Sequence, residues 1–415
     1  MRLYYIVQSE MMDGGVIEAQ VIASLRAHSK IKGQPKTRLI FLEPARVAFG
    51  STARKTLKAY RRMWPDGDIK IVPFVSRLGA SSPGKFLAAY LFKERLASSD
   101  IVFHCRGPAA TLSAHVARQI LGRGRVIFDV RGAHADETIH RMGFPWATNL
   151  SQKAAESYRL SKECERSAAQ AADYLFTVSS GLKAYAVEEL DASEDHILVV
   201  PSCIEEPVFD EEKREEARRE WGIVGDAPVF IYSGRLGPER LPDHMFRVFR
   251  AVLRIRPDAK MILLSYLNQL DDLKSFLSKN GIPENAVKAA GYPRDEALKR
   301  LCAADIALLF LEPAQRFNQF AAPIKVAEYF ASGLPIIVNE SVGNIPALVS
   351  GKDVGWVINQ GIDDASLDSL ASEVVAGIER DQGQRRKRCL DVCSEFFLWR
   401  NYIPAVRRVY GISGD

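Results

Sequence analysis

The chain has little of what marks a secreted, membrane-spanning or metal-binding protein. Only six of its 415 residues are cysteine (Cys105, Cys164, Cys203, Cys302, Cys389 and Cys393), and no CxxC pair occurs. That spacing offers neither a disulfide framework nor a zinc site, and the thiols read as the reduced ones of a cytoplasmic protein. No apolar run approaches the roughly 20 residues that a membrane span needs. The amino terminus reads Leu3-Tyr4-Tyr5-Ile6-Val7 and then turns polar, as a strand and not a secretion signal. Internal repeats and low-complexity tracts are missing too. With 47% hydrophobic residues, the composition excludes disorder.

Charge is what the chain distributes unevenly. Residues 1–150 hold 23 Lys and Arg against 11 Asp and Glu, and the remainder holds 33 against 40. A basic first part and an acidic second part imply an anionic partner for the first. Two segments carry that reading. In 54–64 (Arg54 to Trp64) cations interleave with Leu57, Tyr60, Met63 and Trp64, the pattern of a basic interfacial helix on an anionic membrane surface. A second segment is 85–93. The bland alternative is core packing with a basic rim. Nucleic acid is not expected, because no recognition motif accompanies the charge.

Short apolar β-branched runs alternate with helix-length amphipathic stretches along the whole chain, and such strands form parallel sheets covered on both faces. Seven strands are expected before residue 205, from Leu3–Val7 to Ile197–Pro201, and six after it, from Val229–Tyr232 to Val354–Val357. The reading is α/β: two facing, doubly wound Rossmann-like domains with a cleft between them. The domains span 1–205 and 206–395, and a terminal helix, 396–415, returns to the first. Ligands of such sheets bind beyond the carboxyl ends of strands, so the informative residues follow strands.

Gly14-Gly15 follows the opening strand and lets a ligand approach the backbone, or simply makes a tight turn; it is not GxGxxG. After Val229–Tyr232 comes Ser233-Gly234-Arg235-Leu236-Gly237-Pro238-Glu239-Arg240. Its two arginines suit phosphate oxygens, unless they are only solvated loop residues. Downstream, Ala322-Pro323-Ile324-Lys325 opens a helix, with Pro323 at the first helical position, and Gly333 and Pro335 stop it. Lys325 in that first turn opposes the helix dipole, a penalty that a bound pyrophosphate reverses. Glu328, one turn on, can accept both hydroxyls of a ribose. The bland reading is a Lys–Glu surface pair. Asp66-Gly67-Asp68 reads as a turn, Cys389 and Cys393 as packing, and Arg385-Arg386-Lys387-Arg388 as a solvated helix face.

These motifs resemble the family-4 glycosyltransferases of the GT-B fold. "GRLGPER" is similar to their pyrophosphate loop, with Arg240 where lysine is usual, and "APIKVAEYFASGLPIIV" to their donor-binding helix. "DGGVIEAQVIASL", "DVRG" and "VVPSCIEEPVF" agree more loosely. The resemblance implies a retaining, metal-independent transferase with no cofactor, whose co-substrate is a nucleotide-diphosphate sugar. The acceptor is a polysaccharide, as in lipopolysaccharide and other cell-envelope synthesis, or a lipid-linked glycan. It would work in the cytoplasm or peripherally on the inner face of the plasma membrane. Arg235, Arg240 and Lys325 would stabilise the leaving pyrophosphate. Gly234, Gly291, Tyr292, Asn318, Phe320, Ala322, Pro323, Ile324 and Glu328 would hold the donor, and Gly14, Gly15, His104 and Arg106 the acceptor. Two positions depart from the family. Phe320 replaces a sugar-binding glutamate, so backbone groups of Asn318–Ala322 would replace it, with the phenyl ring beside an apolar part of the sugar. Arg131 stands near the family's catalytic histidine, with His134 three residues on. Arginine is no base at neutral pH. Those departures keep alternatives open: an inactive nucleotide-sugar-binding partner subunit, or an epimerase or hydrolase on the same fold.

Overall fold

The computed structural model describes residues 1–12, 14–31, 33, 35–92, 100–237, 240–265, 273–359 and 361–412. Asp13, Lys93, Pro238 and Glu239, which belong to the motifs above, lie outside the described residues, as do residues 413–415.

The chain forms two compact units, Met1–Glu205 with Trp399–Asp415, and Glu206–Leu398. The first is built on a seven-stranded parallel sheet: β1 (Arg2–Gln8), β2 (Lys36–Pro44), β3 (Asp68–Phe74), β4 (Ile101–Arg106), β5 (Arg125–Val130), β6 (Tyr174–Thr177) and β7 (Ile197–Val199), in the order β3-β2-β1-β4-β5-β6-β7. The second has six parallel strands: β8 (Val229–Ser233), β9 (Lys260–Leu264), β10 (Val287–Ala290), β11 (Ile306–Leu309), β12 (Ile336–Asn339) and β13 (Gly355–Ile358), in the order β10-β9-β8-β11-β12-β13. The α/β reading with two parallel sheets is therefore correct. The order of each sheet reverses beside its first strand, between β1 and β4 and between β8 and β11. Crevices for ligands form at such switch points.

The central strands are mostly apolar because helices cover both faces. All six residues of β4 are buried. In the first unit one face of the sheet packs Tyr4, Ile6 and Phe103 against Leu87, Ala110 and Ala114. The other packs Tyr5, Val7 and Phe41 against Ile17, Tyr60 and Trp64. The terminal helix is Trp399–Tyr410, and it adds Val406 and Tyr410 to a cluster with Leu3, Val102 and Phe176. It starts three residues later than the sequence suggests, since Phe396 still belongs to the preceding 33-residue helix, Asp364–Phe396.

Two surface readings need correction. Leu57 and Met63 of the helix Ser51–Met63 pack on the core beside buried Tyr60 and Trp64. The cations Arg54, Lys55, Lys58, Arg61 and Arg62 face solvent with the small residues Ser51, Thr52 and Ala59, so the helix is a basic rim on a packed core and not an interfacial helix. The run Arg385–Arg388 is not a solvated face either. Arg385 lies over the Trp356 ring at 4.5 Å, Arg386 over Phe209 at 4.4 Å, and Arg388 bonds Asp381 at 2.7 Å. Arginine stems cover apolar surface well, and here aromatic rings take that cover. Cys389 and Cys393 are buried, and burial pushes the Cys389 thiol well up. Gly67 sits in a tight turn where a Cβ would fall 2.1 Å from the Trp64 ring. The next residue, Asp68, is paired with Arg38 at 2.5 Å.

Candidate functional site

In the second unit the residues expected around a donor gather where β8 ends. Gly234 has φ +123°, and a Cβ there would lie 2.4 Å from Lys325 Nζ. Glycine is thus required twice, by backbone conformation and by the approach of the ammonium. Lys325 reaches this point from the first turn of the helix Ile324–Ala331. Its Nζ donates to the Tyr232 hydroxyl at 3.0 Å and lies 4.4 Å from the Tyr232 ring centre. That hydroxyl in turn donates to the Arg235 carbonyl at 2.7 Å, and the Ser233 amide donates to the Tyr329 hydroxyl at 3.0 Å. Two tyrosines therefore fasten loop and helix together. Arg235 is exposed and Arg240 half-buried. Pro323 stands one residue before the helix, as its cap, because its ψ of 130° is extended. The other ordering residue here is Gly333, which closes the helix at φ +65°.

Glu328 is buried on that helix, and both Nε and Nη2 of Arg294 donate to its Oε1, at 3.0 and 2.7 Å. A fork of this kind holds a carboxylate in one orientation. Arg294 escaped the sequence reading. Its signal was the one that marked Lys325, a cation in the first turn of a helix (Arg294–Leu301). Ala322 and Ile324 flank Pro323, both half-buried. Asn318 is buried, and its amide donates to the Glu312 carbonyl at 2.8 Å, so that side chain braces its own loop. The Asn318 and Ala321 N–H groups also serve the turn, bonding Gln315 O and Asn318 O. Phe320 is half-buried, with the Arg316 guanidinium 5.6 Å from its ring centre. Gly291 is exposed, whereas the Tyr292 ring lies 3.8 Å under Arg300 and its hydroxyl bonds Glu220 at 3.3 Å. The tyrosine side chain is thereby engaged within the unit.

In the first unit the candidate acceptor residues sit at the carboxyl ends of β1, β4 and β5. Gly14 opens a helix and Gly15 is exposed. Arg106 is buried and bonds Glu10 at 2.8 Å. Its other neighbours favour the charged form: Tyr5, Glu10 and Asp129 more than offset the effect of burial. At Gly132 a Cβ would meet Glu137 Oε1 at 2.3 Å, so a larger residue there would displace that carboxylate. Expected as an acceptor contact, His104 is internal instead. It is 6% exposed, stacks on Tyr5, and its Nδ1 lies 2.7 Å from the Tyr410 hydroxyl. It also lines a small cavity with Tyr5, Gln20, His28, Asp129 and Arg131.

Around it lies a closed polar group. Asp129 accepts from Tyr5 at 2.9 Å and has His104 at 3.5 Å and Arg131 at 3.6 Å. Burial pushes its carboxyl up, but Arg131, His104 and Arg106 outweigh burial and hold it well below the usual range. Arg131 also reaches Ser202 at 3.4 Å. His134 opens the helix His134–Arg141, and burial, then Arg141, lowers its pKa. The amides of His134 and Ala135 donate to Glu165 at 2.8 and 3.2 Å. Sequence reasoning missed Glu165 altogether. It is fully buried, and burial pushes it up to about 7 against the pull of Lys162, the Tyr185 hydroxyl and the two amides. Nothing local marks it within Gln152–Ala171, since its hydrogen-bond partners lie 20 to 31 residues away.

Comparison with known proteins agrees with this architecture. Residues 213–388 match the family "Glycosyl transferases group 1". The alpha-maltose-1-phosphate synthase of Mycolicibacterium smegmatis is 22% identical over 362 residues, 83% of this chain and 87% of that protein. A GDP-mannose-dependent alpha-(1-6)-phosphatidylinositol monomannoside mannosyltransferase of the same organism is 25% identical over 175 residues, 41% of this chain and 44% of that protein. Among solved structures, Anabaena HepE in complex with UDP superposes with a TM-score of 0.69 at 14% identity, covering 99% of this chain and 100% of that one. A glycosyltransferase from Rickettsia africae gives 0.68 at 14% identity, covering 99% of each chain. Residues 213–388 are a glycosyl transferases group 1 domain, and the chain is a glycosyltransferase of the GT-B fold.

Proposed function

We propose that the protein moves a sugar from a nucleotide-diphosphate sugar to a polysaccharide or lipid-linked acceptor of the cell envelope, with retention at the anomeric carbon. The observation that carries this reading is the cationic end of β8, where the Lys325 ammonium lies against Gly234 at the start of a helix. Fixed positive charge at a helix start suits a diphosphate, and it acts most strongly where charge develops on the leaving group. Arg235, Arg240 and Lys325 supply that charge in this proposal, so neither a metal nor a cofactor has to. Glu328, steadied by Arg294, takes ribose hydroxyls, and the Gly291 loop takes the base. Backbone at Asn318–Ala322 meets the sugar, with the Phe320 ring beside an apolar substituent. The acceptor lies against Gly14, Gly15 and the Arg131–His134 turn. Arg106, tied to Glu10, lines the same strand ends. The UDP bound by Anabaena HepE supports a nucleotide donor. The inositide named for the mycobacterial mannosyltransferase supports an acceptor held in lipid. The basic first unit then meets an anionic membrane at its inner face. The names of the relatives do not favour an inactive subunit, an epimerase or a hydrolase.

The test is a thermal-shift screen of nucleoside diphosphates followed by turnover with the matching sugars. A single binding nucleotide raises the midpoint by mass action. Arg235→Ala and Glu328→Ala should each cut turnover at least about tenfold, the loss of one charged hydrogen bond. Wild-type rates in both variants would refute the donor site.

A further inference from the structure

Nine large hydrophobic side chains are exposed among the described residues. Four of them, Met12, Phe49, Val75 and Leu78, stand on the segments that leave β1, β2 and β3. Those strands are parallel neighbours at one edge of their sheet, so all four residues emerge at the same end of three adjacent strands. Scattered exposed hydrophobics are ordinary, but a cluster marks an interaction surface. Phe49 is 72% exposed and Leu78 63%. Their backbones are held in short hydrogen-bonded turns. The Phe49 amide donates to Ala45 at 3.1 Å, the Leu78 amide to Val75 at 3.0 Å, and Ser82 Oγ to the Val75 carbonyl at 2.8 Å.

The charge around three of these tips, Phe49, Val75 and Leu78, has one sign, whereas Met12 follows Glu10. Residues 45–92 contain nine Lys and Arg and only two acids, Asp66 and Asp68. Asp68 begins β3 and Asp66 precedes it, so both acids lie at the opposite end of that strand from the tips. Arg46, Arg77 and Lys85 are exposed on the segments that carry the tips. Apolar points fringed by cations fit a surface that is anionic outside and apolar beneath, which nucleic acid is not.

We propose that Phe49 and Leu78 enter the acyl boundary of an anionic bilayer while Arg46, Arg77 and Lys85 meet its phosphates. The membrane part of the reading above is assumed here, but the contact moves. The helix Ser51–Met63, whose apolar residues are committed to the core, contributes only its outer charge. Gly14 and Gly15 follow β1 at the same strand ends, so an acceptor drawn from the bilayer arrives beside them.

The experiment is co-sedimentation of the full chain with phosphatidylcholine vesicles that do or do not contain phosphatidylglycerol. Paired with it is quenching by brominated lipid of the fluorescence that Phe49→Trp adds. We expect binding only to the anionic vesicles, quenching of the added tryptophan, and at least about tenfold weaker binding for Phe49→Ser/Leu78→Ser, since both side chains would lose their burial in the bilayer. An unaltered thermal shift with nucleoside diphosphate certifies the fold of the variants. Sedimentation unchanged in the double variant, with the tryptophan unquenched, would overturn the tips and leave the membrane reading standing. No sedimentation of the unmodified chain would overturn both.

Discussion

The two units share a winding and treat charge at their switch points in opposite ways. In the second, Arg235 is exposed and Lys325 is lodged on an aromatic ring beside a bare glycine. In the first, Asp129, His104, Tyr5, Tyr410 and Arg131 mostly satisfy one another below the surface. One end keeps its cations near the surface, where the proposed diphosphate would meet them, and the other pairs its charges with one another. A doubly wound sheet therefore sets where a ligand goes, and the side chains at the reversal decide whether that place is reactive or structural.

The sharpest way to break this contrast is to remove the charge at β8. Lys325→Met should lower kcat about 100-fold, the scale seen when one preorganised donor to a developing oxyanion is lost. Gly234→Ala ought to act in the same direction, by displacing the ammonium that its Cβ would strike. A smaller effect is expected at Arg294. If it only steadies Glu328, Arg294→Met raises KM for the donor about tenfold with kcat at saturation nearly unchanged, as for the loss of one charged hydrogen bond. Equal loss in both constants would instead place the guanidinium on the transition state.

The inner network of the first unit calls for stability measurements. Tyr410→Phe removes the partner of His104 and should cost about 1 kcal/mol, a fall in Tm of about 2–4 °C in a domain of this size. Smallest is a pH effect at Glu165. Its folded pKa, about 7, lies above the unfolded value, so the folded state holds a proton that the unfolded chain releases. The stability this provides is complete below the ordinary carboxylate range and is lost as pH rises through about 7. Glu165→Gln, with nothing to ionise there, should show a shallower fall of Tm with pH over the same interval. An identical slope would mean that the carboxyl is charged throughout.

The same contrast explains what the sequence disclosed. All thirteen strands were legible, because parallel strands covered on both faces are short, mostly apolar runs rich in β-branched residues. The region around β8 was legible too, because Gly234, Lys325 and Glu328 stand in contiguous motifs whose local oddities show in a string of letters. Arg294 carried such an oddity and was passed over. Glu165, the burial of His104, and the aromatic cover of Arg385 and Arg386 were not readable. Each depends on a partner many residues distant, such as Tyr410 for His104, and periodicity carries no record of such pairs. Helix Ser51–Met63 misled for a related reason: interleaved cations and hydrophobics describe a membrane-facing helix and a core-facing one equally well.

The attachment of the last helix also has a bearing on synthesis. Strands β1 to β7 have all been made by residue 199, but the segment that supplies Tyr410 to His104 begins at Trp399. At an elongation rate of about 5–20 residues per second, the ribosome needs roughly 10–40 s to cross that interval. The amino-terminal sheet thus waits on the ribosome with Phe176, Leu3 and Val102 lacking their final cover, while an entire second unit is made and folds in the middle of the first. The nascent chain's vulnerable interval is set by where this helix is encoded.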